Sequence, residues 1–472
     1  MKKIIIIAVL FFTTLSFSCK KFLDVDQVMN IPSDSAITSV KDLEAVLMGA
    51  YDGLQSGDVL GGNMVVYADL LAEDMKVAES RLSNFGTREI YNRATTVQLS
   101  PLRNMWAAAY SSINRANTVI YYIDNNLLSG TDFDNVKDRF KGEALFIRAI
   151  VHYEIMRFWA LPYDVNNPGG NSQPGVPYRS QPTLSGFDDL SMARHSVEDV
   201  YSFVINDLAQ AKQLLSAAGI NKSSSRASKM AATAYLARVY FSKGDYNNAS
   251  LCAGEVISTG GYSLNANADI QKVFQTSGDV ATNESIFQLV NITTDQSNAI
   301  TYNYKPSDGS QALFSGADTL KKIYSPLDIR RVKYISVNTF SGYISITKYA
   351  NPPSSNPAYN VSVLRLAEMY LIRAESDLLT GNPSGTPYED YKAVKSRAFG
   401  TNWVEETIDP AAMLDSVRME RRREMIAEGD RYHNLKRMKM NERNNVPWND
   451  PSLLFKIPQE EMSGNPLMVQ NP

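Results

Sequence analysis

The chain has 472 residues, 47 Lys and Arg against 50 Asp and Glu, 44% hydrophobic and 21% charged content, three His and two Cys. An apolar fraction of this size supports a real core and argues against disorder, and a formal charge of −3 without a long basic run argues against nucleic-acid partners. Two cysteines make no disulfide framework, and His152, His195 and His433 have no metal-ligand spacing, so no metal or cofactor is expected; the 25 Tyr, 18 Phe and 4 Trp stand out instead.

Residues 1–18 read as a secretory signal, because Lys2 and Lys3 precede an apolar run over 4–12 that is too short for a permanent membrane span. Leu15-Ser16-Phe17-Ser18-Cys19 then places small residues ahead of a cysteine, as in the lipobox of bacterial lipoproteins, so Cys19 is the expected lipidation site and 19–35 a tether. A secreted soluble protein with an incidental Cys19 is the other reading. Without the signal the charge becomes about −5, and Cys252 is left as an expected buried, inert thiol.

A helical scaffold is expected over 36–260, interrupted by loop excursions at 61–98 and 161–186. The first excursion carries Tyr67, Asp69, Arg81, Phe85, Tyr91 and Asn92 among its aromatic and polar residues; the second is rich in Pro and Gly. Between them, Ala109, Ile113, Ala116, Ile120 and Ile123 recur at helical spacing over 106–124. The segment 143–159 has two apolar stripes and is predicted to pack between two neighbours. Over 228–257, Leu236-Ala237, Tyr240, Gly244-Asp245-Tyr246, Ala249 and Ala253 match the tetratricopeptide pattern of two touching helices with a tight turn. Echoes at Ala149/Tyr153 and at Tyr370 to Gly381 suggest stacked hairpins with unequal spacers. A loop-rich insertion follows over 261–360, with strand-like runs at 285–290 and 343–347 and the aromatics Tyr302, Tyr304, Phe314 and Tyr324. The stretch 361–472 returns to helix and ends in a tail.

Adjacent carboxylates and basic runs invite functional readings that simpler ones outweigh. Glu73-Asp74 and Asp188-Asp189 are expected to be solvated pairs, with a structural cap or ligand contact as the other reading of Asp74, since glycoside hydrolysis needs two carboxyls facing each other across the scissile bond. Arg421-Arg422-Arg423 is bracketed by Glu420, Glu424, Glu428 and Asp430 and reads as a structural ion-pair network. His152, on an apolar helix, reads as a hydrogen-bonded core histidine, and Ser225 or Ser228 as a helix cap.

Five segments resemble the SusD/RagB family of Bacteroidetes surface lipoproteins. They are Cys19-Lys-Lys-Phe-Leu-Asp24; Trp106-Ala-Ala-Ala-Tyr-Ser-Ser-Ile-Asn-Arg-Ala-Asn117; Lys141-Gly-Glu-Ala-Leu-Phe-Ile-Arg-Ala149 with Arg157-Phe-Trp-Ala-Leu-Pro162; Arg365 to Glu375 with Glu420 to Arg431; and the tail from Phe455 to Pro472. The resemblance implies a mostly α-helical fold of tetratricopeptide-like hairpins with an irregular ligand-binding region. It implies an outer-membrane, outward-facing, lipid-anchored protein that binds a nutrient and passes it to a SusC-like TonB-dependent transporter, without catalysis.

Residue chemistry favours an oligosaccharide as that nutrient, because aromatic faces stack on sugar rings while Asn, Asp and Arg bond hydroxyls. The expected contacts are therefore Tyr67, Asp69, Arg81, Phe85, Tyr91, Asn92, Tyr302, Tyr304 and Phe314. The opposing reading is that these aromatics pack the loops onto the scaffold. An oligopeptide ligand, a hydrolase on a helical scaffold and a repeat-type adhesion or assembly protein are the alternatives.

Overall fold

The computed structural model describes residues 37–472 apart from 78–85, 168–169, 187, 293–298, 305–311, 313, 339–342, 350–358 and 382–385. The expected signal and tether, Cys19, Arg81, Phe85 and the side chain of Tyr302 lie outside the described residues.

Helix α1 (Val40–Gln55) begins at a capping box: Ser39 Oγ accepts from the Asp42 amide, and the Asp42 carboxylate accepts from the Ser39 amide. The first excursion follows, with α2 (Asn63–Leu71), β1 (Met75–Val77) and α3 (Thr87–Tyr91). Two long helices, α4 (Ser100–Asp124) and α5 (Thr131–Trp159), then pack together. Helix α5 is buried almost continuously from Gly142 to Trp159 because α4 covers one side and α6 (Val197–Ala217) the other, which is what its two apolar stripes require. The Pro- and Gly-rich excursion, 161–186, is tied across these helices: Arg179 N donates to His152 Nε2 at 3.0 Å, and Tyr110 Oη donates to the Pro177 carbonyl at 2.8 Å. His152 Nδ1 therefore carries the proton and donates to the Arg148 carbonyl at 2.8 Å, and burial pushes its basicity down to about 3. It is the neutral core histidine that its apolar helix suggests.

Helices α7 (Lys229–Lys243) and α8 (Tyr246–Thr259) form the tetratricopeptide-like hairpin. Ser228 caps α7 through the Ala231 amide, Gly244 closes it at φ +81°, and Asp245 caps α8 through the Asn248 amide. Ala237, Ala249 and Ala253 are fully buried in this hairpin, so small side chains let the two backbones approach. Cys252 on α8 is half-buried, and burial pushes its thiol up to about 11, away from thiolate chemistry.

The insertion holds β2 (Ser285–Leu289), α9 (Ala299–Tyr304), β3 (Phe314–Gly316), α10 (Leu320–Ile323), α11 (Arg330–Lys333), β4 (Ile335–Val337) and β5 (Ile344–Ile346). The chain returns through β6 (Val361–Arg365) into α12 (Leu366–Thr380), α13 (Pro387–Phe399), α14 (Met413–Glu424), α15 (Asp430–Arg437) and α16 (Gln459–Gly464). Helix α12 packs on α8 and α13, which extends the stack of helix pairs. Among the described residues the strands form three antiparallel pairs, β1 with β3, β2 with β6 and β4 with β5, each too small to stand without the helices beneath it. The strand-like runs at 285–290 and 343–347 contain β2 and β5 respectively. A core of buried side chains runs from Ile37 to Met468, and a smaller cluster including Leu371, Tyr391 and Val417 joins α12, α13 and α14.

Candidate functional site

Two aromatic excursions, the one at 61–98 and the 300–324 stretch of the insertion, lie more than 200 residues apart in sequence and meet in space. Strand β1 of the first pairs with β3 of the second in the register Met75↔Gly316, Lys76↔Ser315 and Val77↔Phe314. On the outer edge of that pair Lys76 bonds Asp318, which also takes Lys321 at 3.1 Å; these exposed ions are worth little individually. Beneath it, Tyr304 Oη donates to Asp69 Oδ2 at 2.5 Å, and the Tyr304 and Phe314 rings lie edge to face at 5.9 Å. Asp69 is 3% exposed and Tyr304 1% exposed, so this contact is interior and holds the excursions together.

The first excursion and the insertion that carries the second are both anchored on the turn between α14 and α15. From the first, Asp69 Oδ1 accepts the Gly429 amide at 3.1 Å. From the later part of the insertion, Lys348 Nζ donates to the Glu424 and Ile426 carbonyls at 2.8 and 2.9 Å, and Tyr349 Oη donates to the Ala427 carbonyl at 2.8 Å. The Tyr349 ring stacks on Tyr304 with centroids 5.8 Å apart and planes 12° apart. These bonds satisfy carbonyls that a tight, buried turn would otherwise leave without partners. Burial pushes the Lys348 ammonium down to about 8 and the Asp69 carboxyl up to about 8; Tyr304 and the Gly429 amide oppose the second shift without cancelling it.

The Arg421-Arg422-Arg423 run supplies the remaining ties, as a structural network. Arg421 forks onto Asp430, Arg422 reaches Asp74, and Arg423 Nη1 lies 3.2 Å from Glu420. The Glu73-Asp74 pair therefore corrects the expectation of solvated carboxylates: Asp74 is 3% exposed and bound by Arg422, while Glu73 takes Arg431 at 2.7 Å. The reason is the distant arginine-rich helix, which adjacency in sequence does not reveal. Asp188 and Asp189 are exposed, and their carboxylates accept amides of Leu184, Ser185 and Ser191 in a surface turn. A cleft of about 70 Å³ water-accessible volume opens beside the Gly429 turn, and its charged lining, including Glu154, Arg238 and Glu368, is already paired within the protein.

Of the nine expected contacts, Asp69, Tyr304 and Phe314 are brought together, all buried, and Tyr67 is 8% exposed on the same helix as Asp69. Tyr91 is half-buried with the Arg443 guanidinium 3.7 Å over its ring, and Asn92 is exposed at the end of α3. Tyr302 lies on α9 two residues before Tyr304. The residues that anchor the junction but escape sequence reasoning are Lys348, Tyr349 and Gly429. A signal existed only for Gly429, inside the Glu428-Gly-Asp-Arg431 segment.

Comparison with known proteins agrees with this architecture. A family model described as starch-binding and associating with the outer membrane matches residues 21–241, and a SusD family model matches residues 334–452. A SusD-like protein of Formosa agariphila, P25, is 22% identical over 91% of this chain and 89% of its own. A crystal structure from Bacteroides vulgatus, named as a candidate sugar-binding protein, superposes with a TM-score of 0.79 at 27% identity, covering 93% of this chain and 99% of that one. A SusD superfamily structure from Bacteroides thetaiotaomicron superposes at 0.80 with 22% identity, covering 92% and 100%. Among the described residues no helix is long and apolar enough to cross a membrane. With two such matches spanning both halves of the scaffold and the fold shared almost end to end, this chain belongs to the SusD family.

Proposed function

We propose that the protein is a cell-surface lipoprotein, anchored through Cys19, that captures an oligosaccharide at the junction of the two aromatic excursions and delivers it to a SusC-like TonB-dependent transporter. The observation that carries this reading is the meeting of the 61–98 and 300–324 excursions on one buried anchor, in a chain of the SusD family. Rigid support favours binding, because loops already held in place lose little freedom when a ligand arrives. Residues of the excursions that face outward from that anchor, with Asn92 and Lys76 among the exposed ones, are the proposed contacts. Binding without turnover is the reading the chemistry supports: Glu73 and Asp74 are engaged by arginines, and Asp69 is buried against Tyr304 and Gly429.

The test is a glycan array probed with the purified chain, followed by incubation of any retained oligosaccharide and analysis of its length. Retention with unchanged length supports the proposal. Shortened products that vanish on substitution of one carboxylate would establish a hydrolase, and retention of peptides alone would move the ligand class to oligopeptide.

A further inference from the structure

A second concave surface lies away from the junction, on the face of α1. Met48, Tyr51, Asp52 and Gln55 sit at offsets of three and four and so line one wall of a groove with about 320 Å³ of water-accessible volume. Leu289 and Val290, at the end of β2, and the 225–226 turn with Asp279 supply the other walls. None of these side chains belongs to the two aromatic excursions.

The aromatic in this groove is fixed in place. Tyr51 Oη donates to Glu143 Oε2 at 2.7 Å and accepts from the Ala227 amide at 2.8 Å. Glu143 is fully buried and also takes Arg226 Nε at 2.7 Å, while Arg226 Nη1 reaches Glu44 at 3.0 Å. The ring is thus pinned by its hydroxyl while its body lines the groove, which is the condition for stacking with little rotamer entropy to lose. Asp52 and Asp279 stand exposed at the rim and can each accept two hydroxyls. Arg226, the cation among the lining residues, has Nε on Glu143 and Nη1 on Glu44, and the two rim carboxylates, Asp52 and Asp279, disfavour an anionic ligand.

We propose that this groove is a second saccharide site, which takes a neutral pyranose unit stacked on Tyr51 with its hydroxyls on Asp52 and Asp279. The inference rests on the reading of the protein as a saccharide binder and adds a contact point outside the junction. Two separated sites on one chain would raise the retention of a long glycan through effective concentration, without tightening either site.

The test uses the full mature chain labelled with carbon-13 at the methionine methyl groups, with the Met48 signal assigned from Met48→Leu. The probes are the methyl glycosides of glucose, galactose and mannose, with glucuronate as the anionic comparator. The Met48 signal is expected to shift saturably with at least one neutral glycoside and not with glucuronate. In Asp52→Ala/Asp279→Ala, two exposed positions whose loss leaves the fold intact, the same titration should weaken by about tenfold or more. A Met48 signal unmoved by all three glycosides overturns the site, as does a shift that the double variant leaves unchanged. The glycan array reads capture by the whole protein separately, so retention there alongside a silent Met48 removes this inference and leaves the proposed function standing.

Discussion

Asp69 shows how little a residue's identity says about its role. An aspartate among aromatics in a polar excursion has the composition of a sugar contact, yet its carboxyl is 3% exposed and bonded to Tyr304 and Gly429. Burial raises it to about 8 from an ordinary value of 3.8, so the folded state holds a proton that the unfolded chain releases. Stability linked to this group is greatest in acid, falls as pH rises from about 4 to about 8, and is level above that. Asp74 adds to the shift from the same excursion and Lys348 opposes it from the insertion. Asp69→Asn keeps an acceptor for Gly429 N and removes the titration. Its thermal unfolding midpoint should fall less than the parent's between about pH 5 and about pH 9, with an advantage on the order of a few kcal/mol at the alkaline end. Identical pH profiles for the two proteins would show that Asp69 does not carry this linkage.

At the scale of elements, the α14–α15 turn does the organising. Gly429 sits at φ +72°, and a Cβ there would meet Val65 Cα and its carbonyl oxygen at 3.1 Å, on the helix that carries Asp69. Gly429→Ala should therefore cost about 1–2 kcal/mol for the left-handed backbone, plus the displacement of α2, and urea unfolding would measure it. A loss below about 0.5 kcal/mol would mean that the turn relaxes freely and does not fix the excursion. The same elements mark what sequence reasoning reaches. The α7–α8 hairpin is legible because Ala237, Gly244, Ala249 and Ala253 encode it within one short stretch of chain. The pairing of β1 with β3 is not, since three-residue strands carry almost no periodic signal and their partners lie more than 200 residues apart. Lys348 is hidden for a related reason: a lysine in a Ser- and Thr-rich stretch looks solvated until the carbonyls of Glu424 and Ile426 are placed around it.

For the whole molecule, attachment and cohesion are separate questions. Cys19→Ala should move the protein from the membrane pellet to the soluble fraction after cell lysis; persistence in the pellet would refute lipid anchoring at that residue. Cohesion between the insertion and the C-terminal helices rests on a buried network in which Glu424 accepts Arg330 at 2.8 Å and Arg365 at 2.7 Å, with Arg397 on the same carboxylate. Glu284 closes the ring by taking Arg365 and Arg397, and Asp328 takes Arg330. Three guanidiniums hold the Glu424 carboxyl well below its ordinary value of 4.5 despite burial. Its contribution is therefore complete above about pH 4.5 and is lost as pH falls toward the folded-state value. Glu424→Gln removes the charge while keeping the shape, leaving three buried arginines short of one anion, and should cost about 3–5 kcal/mol near neutral pH. It should also flatten the acid limb of the stability profile, because the proton that the parent takes up on acid unfolding is no longer exchanged there. Guanidinium titrations from about pH 3 to about pH 7 on both proteins test the two effects together. A variant with the parent's acid slope, or with a loss under about 1 kcal/mol, would place the cohesion in apolar packing and not in the ion network.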